Sequence, residues 1–259
     1  MSFYTRFLST GAAAALLTLL GTGCSVYVPL TPSTPLVSKG QVEVGVGGHL
    51  LPVPLLEVNA AYAPTSHLLV SVETGFGGGS GSSTTNNVTT YYQDHHTQGS
   101  VGLGYYRAPT TRDGWYLAAV GGVGLASVTL HTYDLWLIFP YASGVYEARY
   151  WRYYAQGYAA TRVAPHVEMG LSLRGTLVNY QQIAYGGQPF SPANRGFLEP
   201  TAFLRFGSKA LYGQVNVGLS APLGTVDEAT YSRRLDANSL LAGASLIVKP
   251  GYWWRQSDK

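Results

Sequence analysis

The sequence predicts an all-β protein, an antiparallel transmembrane β-barrel of about ten strands. Three observations predict it. Segments with a strict period of two recur along the chain, their less apolar faces collect glycine, serine and carboxylates, and the connections between them alternate between short and long. The clearest segment is His166 to Tyr180, where Val167, Met169, Leu171 and Leu173 fall on one face and Glu168, Gly170, Ser172 and Arg174 on the other. Successive side chains of a strand point to opposite faces, so this alternation reads as a strand with one apolar surface.

The chain begins differently. Residues 1–23 carry one cation, Arg6, and then an alanine- and leucine-rich run from Gly11 to Leu20. That is the build of a secretory signal peptide, too short for a spanning helix. The run ends in Gly21-Thr22-Gly23 before Cys24, the only cysteine, so no internal disulfide is possible. Small residues ahead of a lone cysteine resemble the lipobox of bacterial lipoproteins, and the resemblance implies that Cys24 is acylated and starts the mature chain. Residues 24–39 hold Pro29, Pro32 and Pro35, a composition that predicts an extended tether between a lipid anchor and the body.

Residues 40–250 supply the strands. The first three, near Gln41 to Gly47, Leu56 to Tyr62 and Leu68 to Phe76, each put a glutamate (Glu43, Glu57, Glu73) on the less apolar face. The Gly-, Ser- and Thr-rich run from Gly77 to Gln93 predicts a long loop. Strands follow over Gly99 to Arg107 and Trp115 to Val128, then an aromatic loop from Leu130, a strand from about Tyr150 to Val163, and the His166 to Tyr180 strand. After a Gly/Pro loop near Tyr185 to Arg195 come strands over Phe197 to Phe206, Leu211 to Ser220 and Ser239 to Val248, with a polar loop at Leu223 to Asn238 and a tail over residues 251–259. The breaks at Ala63 to Ser66, Ala108 to Gly114, Ala164-Pro165 and Gly207 to Lys209 are short, and the connections between them are mostly long. Short periplasmic turns, long outer loops and an even strand number are the pattern of membrane barrels. Both chain ends then fall on the periplasmic side, where Lys39, Lys209 and Lys249 also cluster.

Alternation alone does not separate a membrane barrel from a soluble one with its apolar face inward. Composition does. Charged residues make up 11% of the chain, against roughly 25% in ordinary soluble domains, too few to coat a water-facing surface. The apolar faces are therefore assigned to lipid, the outer-membrane lipid being the expected partner. The other faces line a polar lumen whose network is Glu43, Glu57, Glu73, Glu168, Glu199, Arg162, Arg174 and Arg205, where carboxylates and guanidiniums satisfy one another. Eight strands leave an interior that side chains fill, and ten only slightly more, so the lumen is expected to be largely filled. The net charge of +3 comes from 12 Arg and 4 Lys with no basic run, which excludes nucleic acid as a partner.

From about Cys24 to its end the chain resembles the small uncharacterised outer-membrane β-barrel proteins of Gram-negative bacteria, some of them lipoproteins. The resemblance rests on leader, alternation and loop parity, and implies the barrel fold and an outer-membrane location; the expected role is structural or at the surface. A small passive channel is the first alternative. The second draws on Asp94, His95 and His96 in one predicted loop and His131 and Asp134 in another, residue types able to bind a metal or to form an acid and base pair resembling that of the ten-stranded omptin proteases. Their spacing matches no zinc motif, and polar loop residues without a joint role are the expectation, with no catalytic residue, metal or cofactor.

Overall fold

Alternating β-branched and aromatic side chains fit a pleated surface, and in the computed structural model they build one antiparallel sheet that closes on itself. The structure describes residues 26–30, 34–51, 54–85, 88–111, 114–136, 139–191, 194–208, 210–224, 235 and 239–251. The strands are β1 (Val42–Leu51), β2 (Leu55–Tyr62), β3 (Leu68–Thr85), β4 (Val88–Arg107), β5 (Tyr116–Trp136), β6 (Phe139–Ala164), β7 (Val167–Tyr185), β8 (Gln188–Pro189), β9 (Arg195–Gly207), β10 (Leu211–Leu223) and β11 (Ser239–Val248). Each pairs with its sequence neighbour from β1 to β7, β7 pairs with β9, and β11 returns to β1 with Val44 opposite Val248. Two-residue β8 only folds back on β7, so ten strands form the wall. Closure leaves no sheet edge, which a bilayer demands because hydrocarbon offers unpaired N–H and C=O groups no partner.

The apolar faces point outward, as the shortage of charge predicts. Val72, Leu103, Met169, Leu171, Leu173 and Val217 are all exposed, Leu171 to 62%. Tyr62, Tyr105, Trp115 and Phe206 stand outward near the short turns, where an interfacial aromatic girdle is expected.

Two segments expected as loops are strand instead. The β3 to β4 ladder runs on from Gly77 opposite His96 to Thr85 opposite Val88, and β5 to β6 from Leu130 opposite Tyr146 to Trp136 opposite Phe139. Beyond a bilayer both faces of a hairpin can be polar, so the period of two disappears while the backbone ladder persists. The wall is consequently uneven. Strands β3 to β7 have 18 to 26 residues, whereas β1, β2 and β9 to β11 have 8 to 13. A bilayer crossing needs about 9 to 11, so one side of the barrel rises well past the membrane.

Of the segment expected as a tether, residues 26–30 and 34–39 are described, and most of them do not hang free. Val26, Tyr27, Val28, Leu30 and Leu36 are at most 1% exposed, inside the barrel. Leu36 packs with Ala61, Ala63, Leu69, Tyr116 and Phe203 near the short turns, and Val26 and Tyr27 with Val128, Leu130, Tyr146 and Ile183 toward the long hairpins. Proline explains why an extended chain lies here without joining the sheet: Pro29 and Pro35 have no N–H to place in a ladder. The Tyr158 hydroxyl donates to the Thr34 carbonyl at 3.2 Å, and the Gly40 N–H to the Ala63 carbonyl at 2.7 Å. Gly40 itself has φ +77°, the left-handed conformation at which this thread reverses into β1. The expected signal peptide and Cys24 lie outside the described residues.

An outward face bathed in lipid makes a measurable demand. Leu171→Arg should cost about 2–4 kcal/mol in urea unfolding from lipid vesicles, as a cation near the bilayer midplane does, whereas on a water-facing barrel the same change should fall within about 0.5 kcal/mol.

Candidate functional site

Inward side chains of four strands, β3, β4, β6 and β7, converge on one carboxylate. Glu73 of β3 receives a bidentate guanidinium from Arg174 of β7, with Nη2 to Oε1 at 2.8 Å and Nη1 to Oε2 at 3.1 Å. Arg152 of β6 approaches the same Oε2 at 3.4 Å, while also donating to the Ser100 hydroxyl at 2.8 Å and to Gln98 Oε1 at 3.1 Å. The Ser100 hydroxyl donates to Glu73 at 3.1 Å, and Arg174 Nε donates to Gln156 at 3.0 Å. The Arg174 guanidinium also lies 4.2 Å from the centre of the Tyr154 ring, whose hydroxyl reaches Glu73 at 3.4 Å. Gly122, opposite Tyr154 in the ladder, makes room for that ring: a Cβ there would sit 2.4 Å from its Cζ.

A second carboxylate balances the pair of cations. Glu199 stands opposite Arg174 in the β7 to β9 register and accepts the hydroxyls of Thr176 at 3.1 Å and Ser220 at 3.3 Å. Nearer the short turns Glu43 is wholly buried between Arg205, at 2.8 Å, and Lys249, at 3.3 Å, and Arg205 Nε donates to Gln214 at 2.6 Å. This cluster ties β1 to β9, β10 and β11 across the closing seam. Glu57 lies 3.3 Å from His49 Nδ1. Glu168 faces Arg162 at 3.6 Å, and with the Arg162 side chain 41% exposed that pair belongs to the rim.

All eight residues expected in the lumen network thus have a described partner, though Arg162 and Glu168 stand at its mouth. Arg152 and Lys249 were missed. Arg152 sits in the aromatic stretch where Tyr146, Ala148, Tyr150, Tyr154, Gln156 and Tyr158 also point inward. The period of two was there to read, but tyrosine serves equally on a lipid-facing girdle and in a lumen, which hid the side to which Arg152 belongs.

Beside Glu73 the network leaves little open space. A void beside Glu73, lined by Thr34, Asn59, Ser71, Gln156 and Tyr158 among others, measures ≈ 10 Å³, room for at most about one water. The residues of the outer group are drawn together only in part. Asp94 Oδ1 accepts both the backbone N–H of His131 at 2.7 Å and its ring Nδ1 at 2.8 Å. The β4 to β5 ladder ends at His95 opposite Thr129, so Asp94 supplies the acceptor that the next ladder position lacks. His95 instead bonds the Thr97 hydroxyl at 2.8 Å, His96 is buried, and the Asp134 side chain lies outside the described residues. Among the described residues no group of three His, Cys, Asp or Glu is placed to hold a metal ion.

No family model matches the sequence, and no curated protein matches it either. Among solved structures, the chain is similar to the N-terminal β-barrel domain of Pseudomonas aeruginosa OprF, at 11% identity over 82% of this chain and 98% of that one, with a TM-score of 0.35. It is also similar to the translocator domain of the autotransporter NalP from Neisseria meningitidis, at 10% identity over 81% and 86%, TM-score 0.45. The NanC porin gives 12% identity over 79% and 98%, TM-score 0.32.

Removing one partner from a buried ion pair leaves the others uncompensated. Glu73→Gln should therefore destabilise the folded barrel by about 3 kcal/mol or more in denaturant unfolding. Glu168→Gln, at the solvated rim, should cost under about 1 kcal/mol.

Proposed function

We propose that the protein is an integral outer-membrane barrel with a closed lumen and a structural or surface role, without enzymatic activity. One observation carries this reading: the lumen holds the chain's own residues 26–30 and 34–36 and paired charges. A conducting pore needs a continuous aqueous path, and a void of ≈ 10 Å³ beside the central carboxylate does not supply one. The lipid-facing belt and the uneven wall support the location and the orientation, with the short turns toward the periplasm and the long hairpins outside. Those hairpins carry 18- to 26-residue strands whose outer parts stand clear of the bilayer and supply the surface for contact with other molecules.

The contact between Asp94 and His131 favours a second reading, an outer-rim hydrolase in which the carboxylate orients the imidazole as a general base. The structural use of the same Asp94 oxygen, which accepts the His131 backbone N–H where the ladder ends, explains the contact without catalysis.

Planar-bilayer recordings and a peptide hydrolysis assay test both readings. The whole protein should give no discrete conductance, and a variant lacking residues 26–36 should open one. Steady conductance of the intact protein would support the channel instead. Hydrolysis by the purified barrel that disappears in Asp94→Ala or His131→Ala would support the hydrolase.

A further inference from the structure

The lipid-facing belt has an edge on the long-hairpin side. Along β4 the outward positions run from Arg107 through Tyr105, Leu103, Val101 and Gly99 to Thr97. About ten residues at ~3.3 Å each, tilted by about 40°, rise roughly 25 Å, the height of the apolar band of an outer-membrane barrel. Beyond that height the outward side chains turn polar on neighbouring strands as well. Thr97 stands opposite Ser127 of β5, Ser127 opposite Arg149 of β6, and Arg149 opposite Gln182 of β7. Trp151, one outward position nearer the short turns than Arg149, stands where an interfacial aromatic is expected.

A bulge enlarges this polar row. The register slips between Arg149 and Tyr150, whose partners are Gln182 and Tyr180, so Gln181 is the extra residue on β7. Val178 and Ile183 both face inward, and between them Gln181 and Gln182 both stand exposed beside Arg149. Bulges re-aim side chains in this way. Gln181 donates to Asn179 and is thereby held. Arg149 is exposed too, and among the described residues its guanidinium makes no ion pair and no side-chain hydrogen bond, although Glu147 is the next outward residue on its strand. Short side chains hollow the wall beside it. Gly99 and Ser127 lie between Phe76 of β3 and Arg149 of β6, and the concavity measures ≈ 640 Å³, within the about 300–1,000 Å³ of ligand sites. Its apolar part is the exposed side chains of Phe76 and Leu125.

From this we infer that the concavity at Arg149 binds the phosphate of a membrane lipid, in the leaflet on the long-hairpin side. An unpaired guanidinium presents a planar fork that matches phosphate oxygens. The Thr97 and Ser127 hydroxyls and the Gln182 amide add neutral donors around it, while Phe76 and Leu125 offer apolar surface to an acyl chain. A soluble anion would use the donors and leave the apolar part bare, whereas a phospholipid or phosphorylated glycolipid uses both. The inference rests on the lipid-facing belt, and with the long hairpins outside, the leaflet is the outer one.

Lipid binding to the full-length protein in a non-ionic detergent tests it. The probes are lipid A, an acylated glucosamine phosphate, and the same lipid with its phosphates removed, and bound lipid is counted by native mass spectrometry. The protein should prefer the phosphorylated form by about tenfold, the worth of a charge-assisted hydrogen bond or two. Arg149→Gln should lose that preference and Arg149→Lys should keep part of it. Arg107→Gln, at the opposite edge of the belt, should keep all of it. Equal binding of the two lipids, or a preference unchanged in Arg149→Gln, overturns the site. Displacement of the lipid by excess inorganic phosphate makes the ligand a free anion and overturns the lipid assignment. So does a dimer that Arg149→Gln splits into monomers in sedimentation, because the row is then a contact between copies. Flotation with phosphatidylcholine vesicles separates the two levels of failure. If neither the protein nor Arg149→Gln floats, the membrane reading itself is wrong; if both float without a phosphate preference, only the headgroup site is.

Discussion

One buried carboxylate organises the interior of this barrel. An ion taken out of water costs several kcal/mol unless partners replace its hydration, and Glu73 has two guanidiniums, a serine hydroxyl and a tyrosine hydroxyl in reach. Each of those partners is itself held: Arg174 by Gln156 and the Tyr154 ring, Arg152 by Gln98 and Ser100. The arrangement binds β3, β4, β6 and β7 through side chains that cross the lumen, in addition to the hydrogen bonds around the wall. The Glu43 cluster does the same at the seam where β1 meets β11, the one pairing that joins the two ends of the sheet. Closure of the sheet and compensation of the charges are therefore one problem: without the closed wall the acids and bases would not meet.

Ten strands enclose more volume than these side chains fill, and residues 26–30 and 34–36 of the chain occupy part of the remainder. Its proline-containing stretch suits that role, because an extended segment with few donors can be buried without a sheet partner. It also replaces water with apolar contact. Toward the long hairpins the lumen lining changes from ions to Val128, Leu130, Tyr146 and Ile183, and there the thread presents Val26 and Tyr27. The interior thus holds polar and apolar storeys, and Val26 and Tyr27 stand in the apolar one.

The uneven wall follows from the same division of solvent. Within the bilayer each strand must alternate, but beyond it β3 to β6 need only keep their ladders. At the height where β4 and β5 part, Asp94 takes over the His131 N–H. A side chain that could be read as half of a catalytic pair is in this way also the end of a sheet.

Strand identity, the outward face and the even count of ten were legible in the sequence, because a period of two and a shortage of charge are local properties of a chain. The long hairpins were not, since that period is lost once water lies on both faces. Five glutamates and three arginines could be assigned to the lumen by parity, yet Arg152 was hidden among tyrosines that suit either side of the wall. What only the tertiary structure decided is which charges meet and where residues 26–30 and 34–36 lie. Glu73 and Arg174 are 101 residues apart, and no local pattern names such a partner. The prolines likewise announce an extended segment without a ladder, but an extended segment satisfies them equally outside a barrel or through one, and only the volume left inside a closed ten-stranded wall makes the choice.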